Sequence, residues 1–189
     1  MEQALSNNSL AFIALCNEYC YAVENAAQSE PRAFVETMLR LLPRIYIAAT
    51  DLNPERPLSP EDAFIDSYLD EDYYESARLA IENLLGPDDV FLETFEEDMK
   101  YSDTPVSASI SEGVCDIFQV LYNFIAAVKD SPAELTNLAL IAVADDFKSY
   151  WSQKLVNLLR PLNHVRYEVL GSDDSDDDPS VDGSIPEFY

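Results

Sequence analysis

Five carboxylates in two segments have a spacing that suits hard-metal chemistry. Glu93, Glu96 and Glu97 fall on adjacent turns of one predicted helix, and Glu112 and Asp116 lie four apart on another. An E-x-x-E pattern facing an E-x-x-x-D pattern offers the oxygen ligands that magnesium or manganese takes. Glu93, Glu97, Glu112 and Asp116 are the metal set in that reading. Lys100 or Lys154 would then contact phosphate, which is the chemistry of a divalent-metal-dependent all-α nucleotide phosphohydrolase. The same acids also make sense as a solvated anionic face that needs no metal or other cofactor.

Two polar stripes offer a different chemistry. Glu112, Asp116, Gln119 and Asn123 follow i, i+4, i+7 and i+11 on one predicted helix, and Asp146, Tyr150, Gln153 and Asn157 repeat the pattern on the last. Facing each other, they line a polar groove; facing outward, they are ordinary surface. The turn segment Lys100-Tyr101-Ser102-Asp103-Thr104-Pro105 adds hydroxyls and opposite charges at a helix junction. Asp103 or Thr104 caps the following helix in one reading, and the segment is a binding loop in the other. The binding candidates are therefore Asp98, Lys100, Tyr101, Asp103, Glu112, Asp116, Gln153 and Lys154.

Nucleophilic catalysis finds little support. His164 is the only histidine, no serine sits in a glycine-flanked elbow, and the four glycines are scattered, so no loop cradles phosphate. Cys16 and Cys20, four apart, have a metal-compatible spacing. Both nevertheless lie on an apolar stripe, where they read as small buried hydrophobes. His164 belongs near a helix C-terminus, where it meets the helix dipole.

Helices must position these groups. Phe12, Cys16, Tyr19, Cys20 and Val23 form one stripe, and Phe34, Met38, Leu41, Leu42, Ile45 and Ala49 form a second behind Pro31. Pro43 should kink that second helix or restart it. A third helix runs from about Asp70 to Gly86. A short fourth, opened by Pro87, carries Phe91, Leu92, Phe95 and Met99. Thr104-Pro105 leads into a fifth with Ile110, Val114, Ile117, Leu121, Ile125 and Val128. Ser131-Pro132 caps the last and longest, with Leu140 to Leu162 on its inner face. The expected fold is all-α, an antiparallel bundle of about six helices over residues 1–167. Residues 168–189 form an acidic tail, expected to be disordered. It closes on Ile185-Pro186-Glu187-Phe188-Tyr189, either a docking segment or a loose end.

The segments Glu97-Asp98-Met99-Lys100-Tyr101-Ser102-Asp103, Tyr150-Trp151-Ser152-Gln153-Lys154-Leu155-Val156-Asn157-Leu158-Leu159-Arg160 and Met38-Leu39-Arg40-Leu41-Leu42-Pro43 resemble a bacterial family, domain of unknown function 5063. The resemblance covers about residues 8–165. It implies a compact all-helical domain of cytoplasmic proteins, and it carries no activity, substrate or catalytic residue.

Charge narrows the partners. The 189 residues carry 36 acids against 11 Lys and Arg, a net charge of −25. Residues 61–103 alone hold fifteen carboxylates and two bases, Arg78 and Lys100. Phosphate backbones and anionic membranes are repelled, and basic proteins or divalent cations are attracted. No apolar run approaches the ~20 residues of a membrane span. The N-terminus has no basic signal region, and three cysteines cannot fully pair, as expected of a reduced cytoplasmic protein. The sequence reading is an interaction or adaptor module for a basic protein partner, with oligomeric state open and the metal-dependent hydrolase as the alternative.

Overall fold

A computed structural model describes residues 5–56, 63–93 and 106–171. Helix α1 (Asn7–Glu24) starts where the Ser6 hydroxyl accepts the Ser9 N–H at 3.1 Å, filling one of the unpaired donors of the first turn. Its stripe of Phe12, Cys16, Tyr19, Cys20 and Val23 is buried. Helix α2 (Pro31–Thr50) has Pro31 in its first turn and runs through Pro43 as a single helix, without the expected restart. Tertiary packing of Phe34, Met38, Leu42 and Ile45 outweighs the one backbone bond that Pro43 cannot donate.

Helix α3 (Glu71–Leu85) is capped by Asp70, which accepts the Tyr73 N–H at 2.8 Å. It stops at Gly86, whose φ of +57° lies in the region where a Cβ is strained. The chain then departs from the expected short helix. Gly86–Asp89 is a single 3-10 turn, and Val90–Glu93 forms strand β1. Strand β1 pairs antiparallel with β2 (Val106–Ser109), placing Val90 opposite Ser109 and Glu93 opposite Val106. The helical expectation rested on a short apolar run, and such a run reads equally as strand. Burial along β1 shows the period of two: Val90 and Leu92 are exposed, Phe91 is half-buried and Glu93 is buried.

Helix α4 (Ile110–Val128) therefore begins after a strand, and its cap is Ser109 rather than Asp103 or Thr104. The Ser109 hydroxyl accepts the Glu112 N–H at 3.1 Å. Helix α5 (Ala133–Asp146) continues through a π turn, Phe147–Trp151, into α6 (Ser152–His164) and a second π turn, Val165–Val169. These four pieces form one unbroken helical rod, so the described residues contain five helical rods and a two-stranded hairpin, not six helices. The last turn reaches Val169, and Leu170 packs against the core. Beyond Gly171 the acidic tail lies outside the described residues.

Helix α4 is the hub. It packs against α1, α3, α5 and α6, and Ile110, Val114, Ile117, Phe118, Leu121 and Phe124 are fully buried on it. The Tyr19 hydroxyl donates to the Val114 carbonyl at 2.9 Å inside that core, tying α1 to α4. Asp116 meets Lys154 while Gly113 meets Leu158, so α6 runs antiparallel to α4. A Cβ on Gly113 would come 2.8 Å from the Leu158 side chain, and the bare glycine lets the two helices approach. No helix among the described residues is long and apolar enough to cross a membrane.

Asp89 anchors the hairpin base. It is 2% exposed and accepts the Ser111 N–H at 2.7 Å and the Ser111 hydroxyl at 2.8 Å. Its charge sits at the N-terminal end of α4, where the helix dipole favours an anion. Replacing Asp89 by Ala strands a buried donor, so Asp89→Ala should lower unfolding free energy by about 1–3 kcal/mol in urea titration. A loss within about 0.5 kcal/mol, the usual range for a surface substitution, would contradict this role.

Candidate functional site

The hairpin, the first half of α4 and the π turn with the start of α6 enclose a groove of about 630 Å³. That lies within the size range of small-ligand sites. Strand β1 supplies Phe91 and Glu93, and β2 supplies Val106 through Ser109. Helix α4 supplies Glu112, Gly113 and Asp116, and the last rod supplies Ser149, Tyr150, Gln153, Lys154, Asn157 and Leu158. The wall is mostly polar and holds three carboxylates against one ammonium.

The π turn shapes one side. A π turn carries more residues per turn than an α turn, so it rotates the side chains that follow it relative to those before. Ser149 and Tyr150 reach the groove wall, whereas Asp146, just ahead of the turn, does not line it. Trp151 holds the turn in place. Its ring is fully buried, lies 4.5 Å from Phe147 at 67° between planes, and its Nε1 donates to the Val143 carbonyl at 3.3 Å.

Asp116 organises the centre of the groove. It accepts the Tyr74 hydroxyl at 2.9 Å through one carboxylate oxygen and the Lys154 ammonium at 2.6 Å through the other. Lys154 also lies 5.3 Å from the Tyr150 ring centroid, within cation–π range. Burial alone would depress the Lys154 ammonium, but the hydrogen bond and charge of Asp116 outweigh it and hold the pKa above its ordinary value. Burial, then the Asp116 hydrogen bond, pushes the Tyr74 phenol well up. Both groups therefore stay protonated at neutral pH and serve as donors rather than bases.

Four sequence candidates, Glu112, Asp116, Gln153 and Lys154, come together on this groove. The two polar stripes meet only in part. Tyr150, Gln153 and Asn157 face Glu112 and Asp116, while Asn123 is spent elsewhere, accepting the Tyr68 and Leu69 N–H groups at 2.8 Å each. Asp98, Lys100, Tyr101 and Asp103 lie outside the described residues, in the segment joining β1 to β2. Glu93, Glu112 and Asp116 of the metal set share the groove wall, and Glu97 lies outside the described residues. Among the described residues no three His, Cys, Asp or Glu side chains are placed to hold a metal ion.

The remaining reactive types sit away from the groove. Cys16, Cys20 and Cys115 are buried, and burial raises each thiol, Cys20 and Cys115 to about 12. They act as core hydrophobes at neutral pH. His164 is exposed near the end of the last rod, 3.6 Å from Glu168. Ser107, Ser109, Ser149 and Tyr74 were not visible as site residues in the sequence. One signal for Ser109 was present: Ser109-Ile110-Ser111-Glu112 has the S-x-x-E spacing of a capping box ahead of an apolar run.

A family model described as Domain of unknown function (DUF5063) matches residues 3–168. The chain belongs to this family. The likeness extends to three dimensions in the crystal structure of protein BF1032 from Bacteroides fragilis, a structural-genomics target. It is 28% identical, with a TM-score of 0.72 over 86% of this chain and 94% of that one. No curated protein matches the chain. The DUF5063 region contains both the groove and the hairpin that walls it.

Lys154 gives the groove a pH signature. A lysine whose folded pKa is raised stabilises the fold fully below the unfolded value of about 10.4, and the contribution is lost as pH rises through the folded value. Lys154 is about a third exposed (36%), so solvent screens the pair and its worth is about 0.5–1 kcal/mol. Lys154→Met should be less stable than wild type by that amount, nearly constantly from pH 7 to about 9, with the gap closing as pH rises past about 10. A gap that already closes by pH 9 in denaturant titrations would contradict the Asp116–Lys154 pair.

Proposed function

We propose that the protein is a non-enzymatic binding module that receives a basic segment of a protein partner in the groove between hairpin, α4 and α6. The observation that carries this reading is the convergence of Glu93, Glu112 and Asp116 with the amides of Gln153 and Asn157 on one 630 Å³ groove. A ligand lysine or arginine finds the exposed Glu112 carboxylate and the amide oxygens there, Glu93 and the Lys154-paired Asp116 add negative charge behind them, and the Tyr150 ring offers a face for a cation. The net charge of −25 speeds encounter with such a partner. Among the described residues the hairpin pairs with no third strand, and an outer strand edge is a feature that extended peptides use for backbone pairing. The resting states of Lys154, Tyr74 and the three thiols favour recognition over catalysis.

The metal-dependent phosphohydrolase is the second reading: Glu93, Glu112 and Asp116 line one wall, and since no three described carboxylates are placed to hold an ion together, a metal there needs a further ligand. Calorimetry with a deca-lysine peptide and, separately, with manganese distinguishes the two. The binding-module reading expects peptide binding that weakens about tenfold in Glu112→Lys and again at roughly 0.5 M salt, where the screening length falls to a few ångströms. Glu112 is exposed, so the variant should keep its fold. Heat from manganese but not from peptide would reverse the preference, and unaltered affinity in Glu112→Lys would remove the groove from the proposal.

A further inference from the structure

A second groove, about 410 Å³, lies between α1 and α2 and shares no residue with the first. Its floor is apolar, with Ala22, Phe34 and Leu41. Its rim carries Arg40 and Arg44, one helical turn apart on α2. The Arg44 guanidinium is 3.6 Å from Glu18, and both side chains are more than half exposed, so water competes for that contact. Arg40 has no ion pair among the described residues. Two accessible guanidiniums over an apolar floor are uncommon in a chain with 36 acids and 11 bases. The ligand chemistry they fit is an anion carried on an apolar or aromatic body.

We propose that this groove docks the chain's own segment Ile185-Pro186-Glu187-Phe188-Tyr189. The composition matches: Phe188, Tyr189 and Ile185 supply the apolar body, and Glu187 supplies the anion for Arg40 and Arg44. The place where the described chain ends matches as well. The Val165–Val169 turn packs on α2, Arg166 donates to Glu36 at 2.7 Å, and Leu170 packs against the core. Glu36 is one helical turn from Arg40, and its neighbour Thr37 lines the groove. From Gly171 the thirteen residues 172–184 span at most about 45 Å. Helix α2, at twenty residues, is about 30 Å long, so reach does not limit docking anywhere along it. Charge selects this groove over the first. The six aspartates that precede the segment are repelled by Glu93, Glu112 and Asp116 and attracted by the α2 arginines.

Docking is intramolecular, so a modest intrinsic affinity suffices to populate it. The test uses amide NMR of the full chain, wild type against two variants. Phe188→Ala with Tyr189→Ala removes the apolar anchor without touching the body. Arg40→Glu with Arg44→Glu reverses the rim, and both arginines are exposed, so the fold should survive. The proposal expects the first variant to shift the amides of Tyr21, Thr37, Arg40 and Arg44. It expects the second to raise the fast mobility of residues 185–189 in heteronuclear relaxation, with added salt producing a similar loss. Unmoved groove amides in the first variant would overturn it. So would unaltered relaxation of residues 185–189 in the second. Shifts that grow with protein concentration would assign the segment to a second copy and overturn docking in cis, and shifts at Gln153 and Asn157 instead would place the segment in the other groove.

Discussion

Asp89 is held at 2% exposure by two short hydrogen bonds from Ser111, at the first turn of the central helix α4. An ionised carboxylate out of water is tolerated only when charge-assisted bonds satisfy it, and here a helix N-terminus supplies them. The consequence is geometric. Strand β1 leaves directly from Asp89, and β2 runs directly into α4, so the one contact pins both hairpin strands to the start of α4. The groove wall formed by Phe91, Glu93 and Val106 to Ser109 stands where it does because of that anchor. The described residues leave no buried side-chain nitrogen or oxygen unpartnered, so the anchor sits within a satisfied interior.

Helix α4 then serves two surfaces. Its buried face, from Ile110 to Phe124, is a close-packed core against α1, α3, α5 and α6. Its remaining face begins with Glu112 and Asp116, which look into the groove. Packing fixes the distance between α4 and α6 through the bare Gly113 and Leu158. The Asp116–Lys154 contact one turn on is therefore a consequence of helix spacing as much as of charge. Strand, helix and π turn frame the groove on three sides.

The long helices were legible in the sequence because a buried stripe at 3.6-residue spacing is a strong signal, as for Phe12 to Val23 and Ile110 to Val128. The hairpin was not. Val-Phe-Leu-Glu and Val-Ser-Ala-Ser are four-residue strands, each too short to show its period and separated by twelve residues, so pairing emerges only when α3 and α4 bring them together. The π turn escaped for a similar reason. Nothing in Phe-Lys-Ser-Tyr-Trp departs from helical composition, and the insertion is set by Trp151 and Phe147 packing into the core. That turn explains why Tyr150, Gln153 and Asn157 share the groove while Asp146, on the same ideal-helix stripe, lies apart. The carboxylates of Glu112 and Asp116 were readable as candidates; which neighbours they would share a cavity with was a tertiary outcome.

Recognition of a basic segment at the hairpin groove makes a local claim, and hydrogen–deuterium exchange with and without a saturating deca-lysine peptide reads it directly. Bound peptide should slow exchange in two stretches distant in sequence, Val106 to Glu112 and Ser149 to Asn157, because both line the groove. Exchange in α1 and in the first half of α2 should be unchanged. Slowing spread evenly over the acidic surface, or confined to segments that do not line the groove, would contradict the account.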